Sequence, residues 1–225
     1  MALTGDIGHL IAAIGCFVGA HSLTNLRPLR HRCIEAVGKA GFYGAYSVLS
    51  TVLLVWVVAA AINAPTLVIW QQHGWMRWVP PLVMPVVCLA LVAGLTTPNP
   101  FSIGPGAKGF DPAHPGILRL TRHPVIWGLG LWTGAHIVPN GHLAGLMLFV
   151  PLLVMSLLGK RVLDAKRRQS LGAEEWQRLV DAVEQPLDRA ALLHEVGAWR
   201  IIGGVALYLA LLALHPMVIG LSPLP

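Results

Sequence analysis

The chain has 225 residues, of which 55% are hydrophobic and 12% charged, against about 25% charged in ordinary soluble domains; its mean hydropathy is +0.66. At this length no second layer is large enough to hide such apolar runs from water, so a soluble fold is excluded and one membrane domain over residues 1–225 is expected. The net charge of +6 is spread over short loops instead of one folded face, which excludes a nucleic-acid partner and makes membrane lipid the surroundings.

In chain order, apolar segments fall at 7–24, 43–63, 79–96, 125–139, 142–159 and 199–219. Their length and composition predict an all-α, polytopic bundle of about six transmembrane helices. The first segment has a signal peptide's length, but only Asp6 precedes it as a charge and no basic region does, so it reads as a retained helix. The stretch 25–42, with Arg27, Arg30, Arg32 and Lys39, reads as a basic hairpin with Tyr43 and Tyr46 at the interface. The third segment opens at Pro80-Pro81 and carries Pro85, which predicts an abrupt start and a kink.

Loop 97–124 is rich in proline and glycine and long for a polytopic protein, which suits a lid over the cytoplasmic end of the site, a binding loop or a disordered stretch. It feeds into Thr121-Arg122-His123-Pro124, where Pro124 suits the first helical position because its missing N–H would be unpaired there anyway. Pro139-Asn140-Gly141 is turn chemistry. The fifth helix is expected to run past Leu158 into Lys160 and beyond. After Leu171-Gly172, the spacing of Trp176, Leu179, Val180 and Val183 predicts an amphipathic helix lying on the inner leaflet.

Basic residues set the orientation. Nearly all fall in the loops 25–42, 97–124 and 160–198, and only Arg77 on the other side. The positive-inside rule makes those loops cytoplasmic and both termini external, with Trp70, Trp75 and Trp78 at the outer interface. Cys16, Cys33 and Cys88 have no C-x-x-C spacing and read as small buried hydrophobes, not as a disulfide framework.

Ten histidines in so apolar a chain call for a reason, because imidazole within a bilayer is costly and is a functional hypothesis by default. Gly15-x-x-x-Gly19-Ala20-His21 is echoed by Gly130-x-x-x-Gly134-Ala135-His136, and glycines four apart let helices approach closely. At 1.5 Å per residue, His123 and His136 lie about 20 Å apart along one helix. Two ligands of one metal share a depth, so the candidate pairs are His21 with His123, or His136 with His215. Imidazole suits zinc, copper, iron and haem iron. There is no H-E-x-x-H and no C-x-x-C-H, which disfavours a zinc peptidase and a covalent cytochrome and leaves noncovalent haem. Arg122 is the candidate for a haem propionate, since guanidinium meets carboxylate bidentately, with Trp127 and Trp132 flanking the ring.

The same residues carry a resemblance: Ala20-His21-Ser22 with Leu26-Arg27, Gly38 with Phe42-Tyr43, Thr121-Arg122-His123-Pro124, Trp132 with Ala135-His136, Asn140-Gly141, Asp164 with Arg167, Leu171-Gly172-Ala173-Glu174 and His215-Pro216. The combination resembles the NnrU family of bacterial membrane proteins, whose relatives include the 15-cis-zeta-carotene isomerase. The resemblance implies a multi-pass protein of the bacterial inner membrane with a role in redox, nitrogen-oxide or denitrification physiology. From the isomerase relative it implies haem b held by His21 and His136, and redox-dependent cis-to-trans isomerisation of an apolar polyene. Function lives in sites and not in folds, so family membership alone does not transfer that activity. The Arg-His-Pro start also resembles isoprenylcysteine carboxyl methyltransferases, which hold S-adenosylmethionine with a later Glu-Glu pair; here that position reads Leu163-Asp164. A non-enzymatic subunit that meets a membrane-protein partner is the fourth reading.

Overall fold

The computed structural model describes residues 6–23 and 26–225, and those residues are helical with no strand among them, an isolated bridge between Val68 and His142 apart. The helices are α1 (Ile7–Leu23), α2 (Arg27–Asn63), α3 (Val79–Thr96), α4 (Pro124–Ile137), α5 (Leu143–Leu171), α6 (Ala173–Val183), α7 (Arg189–Val196) and α8 (Ala198–Ile219). Among the described residues, four segments are long and apolar enough to cross a membrane: Pro28–Asn63, Gly74–Thr96, Leu143–Leu171 and Ala198–Ile219. α1 is apolar but has 17 residues, and α4 has 14. The expected apolar segments are therefore all helices, and the chain is an all-α membrane protein of the helical-bundle class.

Two compact units divide it, residues 1–71 with 140–148, and residues 72–139 with 149–225. In the first, Leu10, Ala13 and Phe17 of α1 and Val57, Ala60 and Ala61 of α2 are buried at helical spacing. His9 meets Trp56 while His21 meets Ser50, so the two helices run antiparallel. The basic stretch 25–42 is not the expected hairpin, because α2 is helical from Arg27; Asn25 lies outside the described residues. Arg, Lys, Glu and Ala are good helix formers, so charge marks where the helix leaves the apolar span and not where it stops. The interruption is Gly38, at φ 74° and ψ 166°, a conformation that glycine adopts without a Cβ penalty. The Ile69 and Trp70 N–H groups both donate to the Gly141 carbonyl, at 2.7 and 3.0 Å. A Cβ at Gly141 would fall 2.6 Å from the Trp70 indole nitrogen, which is why the Asn-Gly turn keeps its glycine.

In the second unit α3 packs against α4 and α8. A Cβ on Gly94 would stand 2.8 Å from Val125, and one on Gly204 would stand 3.0 Å from the Leu89 backbone, so these glycines set the close approaches. At Gly15, Gly19 and Gly134 an added Cβ meets nothing within 4 Å among the described residues. At Gly130 it would meet Ser156 Cβ at 3.5 Å, so of the four repeated glycines Gly130 lies at a helix contact within its unit and the other three do not.

At the Arg122 end, loop 97–123, α6 and α7 form a cap with its own core. Trp176, Leu179, Val180 and Val183 close onto Phe101, Ile117 and Leu118. The helix predicted to lie on the inner leaflet exists, but protein covers its apolar face: Trp176 is 8% exposed and Val183 1%. Amphipathic spacing says which face is buried and not what buries it. Loop 97–123 is likewise no free lid, since Phe101 is completely buried and Leu118 nearly so.

Candidate functional site

α4 begins in a tied turn. His123 caps it with non-helical backbone, φ −124° and ψ 56°, and Pro124 follows. The His123 N–H donates to Thr121 Oγ1 at 3.1 Å. Asn99, fully buried, holds the turn from the other side: its amide nitrogen donates to the Arg122 carbonyl at 3.0 Å, and its oxygen accepts from the Phe101 and Ser102 N–H groups at 2.8 and 3.1 Å. One carboxamide therefore joins the 99–102 turn to the start of α4.

Side chains converge on this joint. His123, 4% exposed, places Nε2 at 2.8 Å from Asp164 Oδ1 on α5. A carboxylate accepts and does not donate, so Nε2 carries the hydrogen. Arg122 reaches Asp164 Oδ2 at 3.5 Å, pairs with Glu184 at the end of α6, and lies 5.9 Å from the Trp176 ring centroid. Beside the cluster, Arg119 forks onto Glu195 of α7 at 2.7 to 3.1 Å, and Glu195 also accepts the Gly116 N–H at 2.9 Å. This pair is partly buried, its side chains 15% and 6% exposed, and the Arg119 hydrogen bonds hold the Glu195 carboxyl below its ordinary range. Burial pushes the His123 imidazole below its usual value; the Asp164 carboxylate opposes that shift without outweighing it.

The polar cluster is incompletely satisfied. Among the described residues, the buried side-chain nitrogen and oxygen atoms without a partner are Ser102 Oγ, Arg122 Nε and His123 Nδ1. All three belong to the segments that Asn99 joins. Buried polar groups normally find partners, so this concentration is a feature of the place.

The other end of α4 is apolar. His136 Nδ1 lies 2.8 Å from the Trp132 carbonyl four residues back, its ring 5.8 Å from Trp132 and 5.3 Å from Phe149. His215, on α8, places its Nδ1 2.8 Å from the Leu221 carbonyl. In the first unit His21 repeats the local device. Its Nδ1 is 2.9 Å from the Phe17 carbonyl, again four residues back, with Ser50 Oγ 3.3 Å from Nε2 and the Tyr46 ring 5.6 Å away.

Of the predicted residues, the second unit holds His136 and His215 and brings Arg122 and His123 onto Asp164; His21 belongs to the first unit. The carboxylates that Arg122 meets are the chain's own, and Trp127 stacks under the Lys160 ammonium at 3.6 Å. Sequence reading missed Ser102, Asn99 and Glu184. For Glu184 the signal was its place just after the amphipathic run, which puts it on whatever α6 caps; Asn99 and Ser102 sit in a loop without periodicity and gave none.

The family model described as NnrU protein matches residues 9–223, nearly the whole chain. No curated protein and no solved structure matches it.

Proposed function

The chain belongs to the NnrU family of membrane proteins, and we propose that it binds haem b noncovalently with His136 as an axial ligand and serves redox or nitrogen-oxide chemistry. The observation that carries this reading is the hydrogen bond from His136 Nδ1 to the Trp132 carbonyl. A carbonyl can only accept, so Nδ1 carries the hydrogen and Nε2 keeps the lone pair that metal ligation uses. A backbone carbonyl on the other ring nitrogen is a usual second partner of metal-bound imidazole, because it fixes tautomer and ring orientation together. Trp132 and Phe149 supply aromatic walls in an apolar stretch of helix, which suits a porphyrin face.

Bound there, haem supplies one-electron chemistry. The chain's part is to orient the imidazole through Trp132 and to keep water from it with Phe149. His21, which the resemblance implies as a ligand, is held in the same tautomer by Phe17. Turnover of a cis-polyene by the reduced protein is the isomerase form of this proposal.

The test is an absorption spectrum of the full chain in mild detergent, oxidised and dithionite-reduced, beside variants with His21, His123, His136 or His215 changed to Ala. A Soret band absent from His136→Ala and retained in His123→Ala is the expected result. A colourless protein made with ample haem supply, or full haem content in His136→Ala, overturns the reading.

A further inference from the structure

The polar cluster at the opposite end of α4 has no part in that reading, and its three unpartnered atoms have a definite chemistry. Arg122 Nε and the Ser102 hydroxyl are donors, and both suit an anionic oxygen. His123 is different. Its Nε2–H is committed to Asp164, so in the neutral ring Nδ1 is an acceptor, and only a group that brings an N–H or O–H satisfies it.

The charges add a second constraint. Arg122 touches two carboxylates, Asp164 and Glu184, so the contact set carries one more negative charge than positive. Lys160, whose ammonium stacks on Trp127, also acts on the His123 ring, so the wider set holds two cations against two carboxylates. A ligand with charge of one sign is repelled by half of that set, whereas one that carries both signs meets a partner for each. Position adds a third, because the cluster stands where the apolar α4 begins. Its cover on the water side is a weak one: the Glu184 side chain is 59% exposed, so its ion pair with Arg122 is screened and readily displaced.

We propose that Ser102, Arg122 and His123 form the floor of a binding site for a headgroup that carries an ammonium and an anionic oxygen together, as ethanolamine phosphate does. The anionic oxygen accepts from Arg122 Nε and Ser102 Oγ, and the ammonium donates to His123 Nδ1 with Asp164 and Glu184 beside it. A choline headgroup has the same two charges but no N–H, so it leaves His123 Nδ1 unmet. The site therefore separates ethanolamine from choline by hydrogen bonding alone, by about tenfold, the worth of one charge-assisted hydrogen bond.

The chemistry has two sources, a phospholipid of the bilayer or a soluble phosphate ester, and the experiment separates them. Full-length protein in detergent is offered phosphatidylethanolamine and phosphatidylcholine of matched acyl chains, and the retained lipid is read by native mass spectrometry. In parallel, O-phosphoethanolamine and phosphocholine are added to lipid-free protein and the unfolding temperature is followed. Retention of the ethanolamine lipid over the choline lipid assigns the site to a lipid headgroup; a rise in unfolding temperature with O-phosphoethanolamine alone assigns it to a soluble ester. In either case Ser102→Ala weakens binding of both headgroups alike, because it removes a donor to the anionic oxygen they share, and it does so without lowering the unfolding temperature, since it removes a buried unpaired hydroxyl. Equal treatment of ethanolamine and choline in both arms, or binding of both headgroups unchanged by Ser102→Ala, overturns the proposal and leaves water as the partner of the three atoms. Haem content is the independent control, because a colourless protein that still discriminates fails the haem reading and keeps this one.

Discussion

α4 carries an imidazole at each end, and the two are held in opposite ways. His136 lies within the helix, where the carbonyl four residues back is in reach, so backbone takes its Nδ1 and the tautomer follows from helix geometry alone. His123 caps the helix, and the residues before it are not helical, so no such carbonyl is offered. It turns to Asp164 across the unit and uses Nε2 instead. One side chain type thus presents Nε2 in an apolar wall and Nδ1 in a polar cluster. His21, inside α1 with Phe17 four residues back, behaves like His136, which supports the helical rule over any special feature of α4.

The contrast predicts that the His123 end is fragile to side-chain deletion and the His136 end is not. The largest effect is expected from Glu195→Ala, which leaves Arg119 buried without its fork; about 3–5 kcal/mol of stability is lost by chemical or thermal unfolding in detergent, while the spectrum assigned to His136 stays as it was. Asp164→Ala follows. It strips both His123 and Arg122 of a partner, and because Asp164 is partly exposed the loss is about 1–3 kcal/mol.

A smaller effect is the response to acid. Burial holds the folded His123 below its ordinary value, so as pH falls below about 6.5 the unfolded chain takes up a proton that the folded one resists. Stability contributed by the neutral ring is present above that pH and is lost as pH falls toward the folded value. His123→Gln should flatten that part of the stability–pH curve; an unchanged curve would mean that other groups set it. The smallest effect tests the apolar end. Trp132→Phe keeps the carbonyl that orients His136 and should leave its tautomer, and any haem it ligates, in place, with a shift of the Soret maximum as the only change. Loss of haem in that variant would show that the indole and not the backbone positions the imidazole.

Most of the helices were legible because apolar runs report themselves. The amphipathic helix at 174–183 was legible from the spacing of Trp176, Leu179, Val180 and Val183, but its destination was not, since lipid and protein are both apolar to that face. The helix through 27–42 was obscured by Arg30, Arg32, Glu35 and Lys39, whose charge looks like a loop while their helix propensity is good. At the site, Arg122, His123 and Asp164 stood out in the sequence; Asn99, Ser102 and Glu184 did not, because their roles depend on what lies beside them in space.

Composition and periodicity by themselves determined that this is a helical membrane protein, where its apolar segments lie, and that one of them carries a histidine toward each end. Those are properties of residues along one chain, set by transfer free energy and by 3.6 residues per turn. Tertiary structure alone decided that His123 turns Nε2 to Asp164 and so presents Nδ1, that Glu184 joins Asp164 on Arg122, and that three polar atoms are left unpaired beneath the cap. Each of those rests on directed hydrogen bonds between segments far apart in sequence, and direction across space is not written in a linear pattern.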